Sequence, residues 1–317
     1  MGTKLARKSA VRYREKPRRL AVEAFPIFVS YYSMLPMETL AYYNGEIATI
    51  DELRIPMNDR VCWFGDGVYD ATLAENHVIF ALYEHIDRFF NSAALIEIPL
   101  SFTKAWLAEL LRDLVRKLDS PTQFVYWQVT RGTTERAHTF PDTPANLWVM
   151  LRPFVLPDQT QKVKLITVED IRFLLCNIKT LNLLPNVLAS EQAKRAGCYE
   201  AVFHRGERVT ECAHSNVHIL KNGVFRTAPA DNLILPGIAR AHLIARCLKL
   251  GIAVSETPFT VAELMSADEV IVSSSSRFCA SASHIDGREV GGKAPELLAK
   301  LQESLLNEFH EASGAGV

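Results

Sequence analysis

Two Asn-Gly dipeptides constrain this chain more than any other feature. Asn44-Gly45 lies between Tyr42-Tyr43 and Glu46-Ile47, and Asn222-Gly223 follows the strand-like run 217–220. Asn-Gly adopts the backbone that a two-residue hairpin turn needs. One such turn early and one late give each half of the chain an antiparallel pair. Between them the period changes. Trp106, Leu107, Leu110, Leu111, Leu114, Val115 and Leu118 recur at helical spacing behind Thr103, whose hydroxyl can cap the first turn. Ile86, Phe89, Phe90, Ala93 and Ala94 mark one face of a second predicted helix over 84–96. Further helices are expected over 187–196 (stopped by Gly197), 238–250 (stopped by Gly251, with Leu243, Ile244, Cys247 and Leu248 inward) and 295–309. Strands are expected over 78–82, 123–131, 147–151, 163–168, 201–204 and 270–272. The pattern is mixed α and β, with Pro153, Pro157, Asp158 and Gln159 marking a linker over 153–161.

At 317 residues and 48% hydrophobic, the chain can fill two cores. A net charge of -1 gives no basic excess of the kind a nucleic-acid binder carries. No uncharged apolar run of about 18 residues is present, so no membrane span is expected. Cys62, Cys176, Cys198, Cys212, Cys247 and Cys279 form no C-x-x-C pair. They read as free thiols in a reducing cytoplasm, with no zinc site. Eight Lys and Arg against Glu15 alone crowd the first twenty residues, which read as a solvated basic arm, and the apolar segment after it, 25–40, is expected to pack on the body.

Four segments could carry chemistry. Lys179 lies between Ile178 and Leu181, and a lysine desolvated there can attack a carbonyl. Glu211, in Val209-Thr210-Glu211-Cys212-Ala213-His214-Ser215-Asn216, could place one carboxylate in a pocket. Leu235-Pro236-Gly237-Ile238-Ala239-Arg240 opens a helix whose free N–H groups could bind phosphate. Ser273-Ser274-Ser275-Ser276 offers hydroxyls after a buried strand. Taken singly these are a snorkelling lysine, a turn acid, a helix start and a polar loop.

Their order and spacing resemble the signature of the class IV aminotransferases, through Glu211, Asn216-Val217, Phe225-Arg226-Thr227 and Leu235-x-Gly237-Ile238-x-Arg240. The likeness runs from about Tyr42 to Gln302 and is nearest the D-amino-acid aminotransferases. Phe64-Gly65-Asp66-Gly67-Val68-Tyr69, Glu84-His85-Ile86-Asp87-Arg88, Arg131-Gly132-Thr133-Thr134-Glu135-Arg136-Ala137-His138 and Ile178-Lys179-Thr180-Leu181-Asn182 carry it. The resemblance implies a fold type IV enzyme with pyridoxal 5'-phosphate held by Lys179 as a Schiff base. It implies a basic extension over 1–38, a small α/β domain over 39–155 and a larger cofactor-binding domain over 156–317. It implies that Glu211 faces the ring nitrogen and that Arg88, Gly237, Ile238, Ala239 and Ser274 hold the phosphate. Tyr69, Arg136 and His138 would bind the substrate carboxylate, the last two reaching across a homodimer. The amino group would pass from a D-amino acid to a 2-oxo acid such as 2-oxoglutarate. A branched-chain L-amino-acid aminotransferase, an (R)-selective amine transaminase and an aminodeoxychorismate lyase share the signature; Arg136-x-His138 favours D-amino acids. Departures from the pattern are Cys212-Ala213-His214-Ser215 in place of glycine and serines, Ala239 in place of a threonine, and His218 in place of an aromatic residue.

Overall fold

In the computed structural model, which describes residues 39–314, the first hairpin forms as expected: β1 (Leu40–Tyr43) pairs antiparallel with β2 (Glu46–Ala48) across Asn44 and Gly45, both at positive φ. The basic arm and most of the 25–40 segment lie outside the described residues. The chain continues through α1 (Arg60–Phe64), β3 (Gly67–Glu75), β4 (Val78–Ile79), α2 (Leu82–Leu95), α3 (Lys104–Lys117), β5 (Thr122–Thr130) and β6 (Asn146–Pro153). These strands form one six-stranded antiparallel sheet, ordered β2-β1-β6-β5-β3-β4. Thr103 caps α3 by accepting from Trp106 N at 3.1 Å. Helices α2 and α3 bury Ile86, Phe89, Leu107, Leu111 and Leu114 against Val125, Trp127 and Val129 of β5. Ala94 and Trp106 do not join that core and are exposed. Each fully buried large side chain contributes about 1.5–3 kcal/mol.

Of the linker expected over 153–161, Pro153 closes β6, and residues 154–162 carry no helix or strand. Beyond them come β7 (Val163–Glu169), α4 (Leu184–Arg195), β8 (Glu200–Arg205), β9 (Arg208–Cys212), β10 (Asn216–Lys221), β11 (Val224–Thr227), α5 (Ile238–Lys249), β12 (Ala253–Ser255), α6 (Val261–Met265), β13 (Glu269–Ser273), β14 (Ala280–Ile285), β15 (Arg288–Glu289) and α7 (Pro295–Ala312). They build a nine-stranded mixed sheet, ordered β12-β11-β10-β13-β14-β7-β8-β9, with β15 beside β14. The second hairpin, β10–β11, closes across Asn222-Gly223 as expected. On α5, Leu243 and Cys247 are buried, whereas Leu248 is 62% exposed, because it lies on the helix face turned away from the sheet. The sheets share a core. Leu73 of β3 and Phe80 just after β4 pack with Leu220 and Phe225 of the second sheet, Phe278 before β14 and Phe309 of α7, and the Phe80 ring lies 5.4 Å from Phe309. No helix among the described residues is long and apolar enough to cross a membrane.

Gly67 is where the two sheets' chemistry is brought together. Its C=O meets the lysine-bearing segment, with Leu181 N donating to Gly67 O at 3.0 Å. A Cβ on Gly67 would lie 2.5 Å from Val129 O and 2.6 Å from Leu181 Cδ1. Gly67→Ala should therefore cost about 1–3 kcal/mol through forced displacement of β5 or of that segment. Urea unfolding measures it, and a change below about 0.5 kcal/mol would show that the contact relaxes freely.

Candidate active site

Lys179 stands in an irregular segment whose backbone is clamped on two sides. Tyr69 N donates to Lys179 O at 3.0 Å, and Lys179 N donates to Ser92 Oγ on α2 at 3.2 Å. Thr180 forms a bridge with Val68. The clamp holds the backbone, and the side chain lines a cleft, where Nζ rests 4.3 Å from the centre of the Tyr69 ring. The cleft is lined from the first half of the chain by Tyr69 of β3 and Arg88 of α2 and from the second half by Glu211, Asn216, Gly237 and Ser274, with about 810 Å³ of open space including its mouth.

Glu211 lies near the end of β9 and is 5% exposed. Arg172 Nη1 donates to its Oε1 at 2.5 Å, and Asn216 Nδ2 and Leu235 N each donate to Oε2 at 3.0 Å. Burial pushes its carboxyl up to about 7, against the lowering effects of Arg172, these bonds and the nearby Lys179 ammonium. Arg172 is itself fixed by a bidentate pair with Asp170, at 2.9 Å on both sides, and Arg205 braces Asp170 from behind at 3.2 Å. Glu200, wholly buried, accepts from His214 N and Ser215 Oγ at 2.5 Å and so holds the loop that follows Glu211.

The other end of the cleft is built to take an anion. Gly237 is the N-cap of α5, and no side chain caps that helix, so its first N–H groups face the cleft uncapped. Arg88 is 8% exposed and reaches the same end, its Nη1 3.3 Å from Pro236 O. Its Nε and Nη2 grip Asp70 at 2.9 and 2.7 Å, and His85 Nδ1 lies 2.8 Å from Asp70 Oδ1. Burial alone would raise the Asp70 carboxyl; the charge of Arg88 and the bonds from both partners hold it well below the usual carboxylate range. Burial lowers His85, against the opposing pull of Asp70. A Cβ on Gly237 would lie 2.0 Å from Asn216 Oδ1, the residue that also steadies Glu211. Glycine is needed there.

The expected residues Tyr69, Arg88, Lys179, Glu211, Gly237, Ile238, Ala239 and Ser274 thus share one cleft. Arg136 and His138 do not line it. Both are exposed and gather on Phe64, the Arg136 guanidinium 5.1 Å and the His138 ring 5.3 Å from its ring. Arg60, paired with Asp66 at 2.7 Å, holds their loop by donating to Ala137 O and Thr139 O. Sequence reasoning gave no site role to Asp70 or Arg172, and Asn216 and Ser273 stood in candidate segments without a role of their own. A signal did exist for Asp70: it follows Tyr69 on a strand, and His85 and Arg88, three residues apart, share a helix face.

An amine, a buried carboxylate and an anion seat in one cleft, shared by two sheets, define an enzyme of the fold type IV aminotransferase kind. Solved structures share the fold. The Escherichia coli branched-chain amino acid aminotransferase superposes with a TM-score of 0.79 at 22% identity, over 85% of this chain and 94% of that one. A second branched-chain amino acid aminotransferase, from T.th. and solved with pyridoxamine 5'-phosphate, gives 0.80 at 24%, over 87% and 94%. Residues 67–285 match the model of the amino-transferase class IV family. D-alanine aminotransferase of Listeria monocytogenes serotype 4b is 41% identical over 278 residues, covering 86% of this chain and 96% of the relative. That of Staphylococcus haemolyticus is 39% identical, covering 86% and 99%. The chain belongs to the class IV aminotransferases, a family that works with pyridoxal 5'-phosphate.

Proposed function

We propose that this enzyme transfers the amino group of D-amino acids such as D-alanine to a 2-oxo acid such as 2-oxoglutarate. The observation that carries the reading is the placement of Lys179 Nζ over Tyr69 in a cleft whose far wall holds the buried Glu211. The D-alanine aminotransferases to which the chain is similar support the substrate class. The residues present fit pyridoxal 5'-phosphate: an amine for its aldehyde, an acid for its ring nitrogen and uncapped N–H groups for its phosphate. When bound, that cofactor supplies an electron sink for charge developing at the substrate Cα.

The chain's own groups do the rest. Lys179 Nζ would hold the cofactor through its aldehyde. The same Nζ would take the proton from the substrate Cα and give it up again, acting as base and then acid. Glu211, oriented by Arg172, Asn216 and Leu235 N, would keep the ring nitrogen protonated. Arg88, the N–H groups of Gly237, Ile238 and Ala239, and Ser274 would hold the phosphate. Tyr69 offers a hydroxyl to the substrate carboxylate.

Arg136 and His138 complete that carboxylate site from a second copy of the chain. Two observations support a homodimer. The pair is exposed and does not line its own cleft. Phe173, Leu174 and Leu175 beside the cleft, with Leu184, Val187 and Leu188 on α4, form an exposed apolar surface of the kind a second subunit covers. The two sheets support a division into a small domain over 39–155 and a larger one over 156–317. Six unpaired thiols fit a cytoplasmic location.

Separate assays with D-alanine and L-leucine, each with 2-oxoglutarate, test the reading. kcat/KM for D-alanine should exceed that for L-leucine by about 100-fold or more, the cost of a mispositioned carboxylate. A preference for L-leucine would sink it.

A further inference from the structure

His218 is a buried titratable group that none of the steps above uses. It lies in mid-β10 with no solvent exposure, stacked 5.1 Å from the ring of Phe225. Each ring nitrogen meets a hydroxyl: Nδ1 is 2.8 Å from Thr227 Oγ1 and Nε2 is 2.8 Å from Ser273 Oγ. Burial pushes the imidazole down to about 3, helped by the Arg240 charge, so the ring is neutral and carries a single N–H.

The neighbours decide which nitrogen bears it. Thr227 Oγ1 accepts from Arg240 Nε at 3.2 Å, and Arg240 is anchored to Ala228 O at 2.9 Å and to Glu256 at 2.6 Å. Arg240 can only donate. The Thr227 hydroxyl proton then has one acceptor among the described residues, His218 Nδ1. The opposite arrangement would strand that proton in a site 1% exposed, with the full cost of an unmet buried donor. Nδ1 is therefore the acceptor. Nε2 carries the hydrogen and donates it to Ser273 Oγ. Ser273 makes no other side-chain hydrogen bond among the described residues, so its own proton is left to give. Ser273 is 1% exposed, and it lines the cleft beside Ser274 and the α5 N-terminus. The polarity is set at one end by a fixed guanidinium and passes from Arg240 to Thr227 to His218 to Ser273.

We propose that His218 is a positioning residue that turns the Ser273 hydroxyl into the cleft as a hydrogen-bond donor to the cofactor's phosphate. The assignment rests on the cleft being the pyridoxal 5'-phosphate site and adds to it a donor and the relay that aims it.

The test is titration of the cofactor-free protein with pyridoxal 5'-phosphate and, separately, with pyridoxal, which lacks the phosphate. Ser273→Ala and His218→Phe should each weaken pyridoxal 5'-phosphate about tenfold to hundredfold, as for a bond to a charged acceptor. Pyridoxal binding should stay within about twofold. The double variant should be no weaker than Ser273→Ala alone. Equal losses for both ligands would mean that His218 only packs, and would overturn the assignment. Nitrogen NMR of the wild type gives a check that does not depend on His218→Phe folding. It should show Nε2 protonated and Nδ1 bare, and the reverse tautomer would overturn the relay. Wild-type protein that binds neither ligand would remove the cofactor reading and this assignment together. Normal wild-type binding, with both variants holding pyridoxal 5'-phosphate as tightly as wild type does, would remove this assignment alone.

Discussion

Lys179→Ala should lower transamination of D-alanine by at least about four orders of magnitude, because in the role proposed for Lys179 one substitution removes both the covalent holder and the proton carrier. The loss should not come from unfolding. Nζ touches the Tyr69 ring at 4.3 Å, and the backbone bonds from Tyr69 N and to Ser92 Oγ survive truncation of the side chain. The lost cation–π contact is worth about 0.5–1 kcal/mol, so the melting temperature should move by only a few degrees. Steady-state rates, paired with the visible absorbance of the covalently held cofactor, separate the two functions. Turnover within about tenfold of wild type would refute the role given to this lysine.

Glu211→Gln should be the next most damaging change, lowering kcat about 10²–10³-fold, the scale for loss of one preorganised electrostatic partner. It should also leave a mark on stability that catalysis cannot mimic. In the ligand-free cleft Glu211 is raised to about 7 from 4.5. A raised acid binds more protons folded than unfolded between those values, so stability falls as pH rises through that window. Every tenfold gain in proton affinity on folding is worth about 1.4 kcal/mol. Cofactor-free wild type should therefore lose a few kcal/mol, at most, between pH 4.5 and 7, whereas Glu211→Gln should be flatter there and relatively more stable above that window. Urea midpoints across that range decide it. A wild type that gains stability over the window, with the variant unchanged, would show that Arg172 dominates and that the acid is ionised throughout.

These two residues show how the site was legible in the sequence. Lys179 and Glu211 stood in recognisable strings, and the glycine at 237 announced a helix start. Strand β3, which carries Tyr69 and Asp70, was not predicted. Its buried face carries the polar Asp70 and Thr72 beside Val68 and Ala74, so the apolar–polar alternation that marks a half-exposed strand is absent. Strand β14, Ala-Ser-Ala-Ser-His-Ile, has small residues where a pattern needs large apolar ones. Leu248 kept helical spacing but lies on the outer face, since spacing cannot say where a buried stripe ends.

Local chemistry was determined by the sequence alone: the Asn-Gly turns, the Thr103 cap, the free thiols, and which residues could serve as amine, acid and anion seat. Those depend on neighbours a few residues away. Tertiary structure alone decided the pairings: Arg172 on Glu211, Arg88 and His85 on Asp70, Arg88 against Pro236, and His218 between Thr227 and Ser273. Most of these join elements far apart along the chain; only Thr227 reaches His218 from the neighbouring strand of one hairpin. The charge state of a buried carboxyl or imidazole depends on what encloses it, and that enclosure exists only once the two sheets have closed on each other.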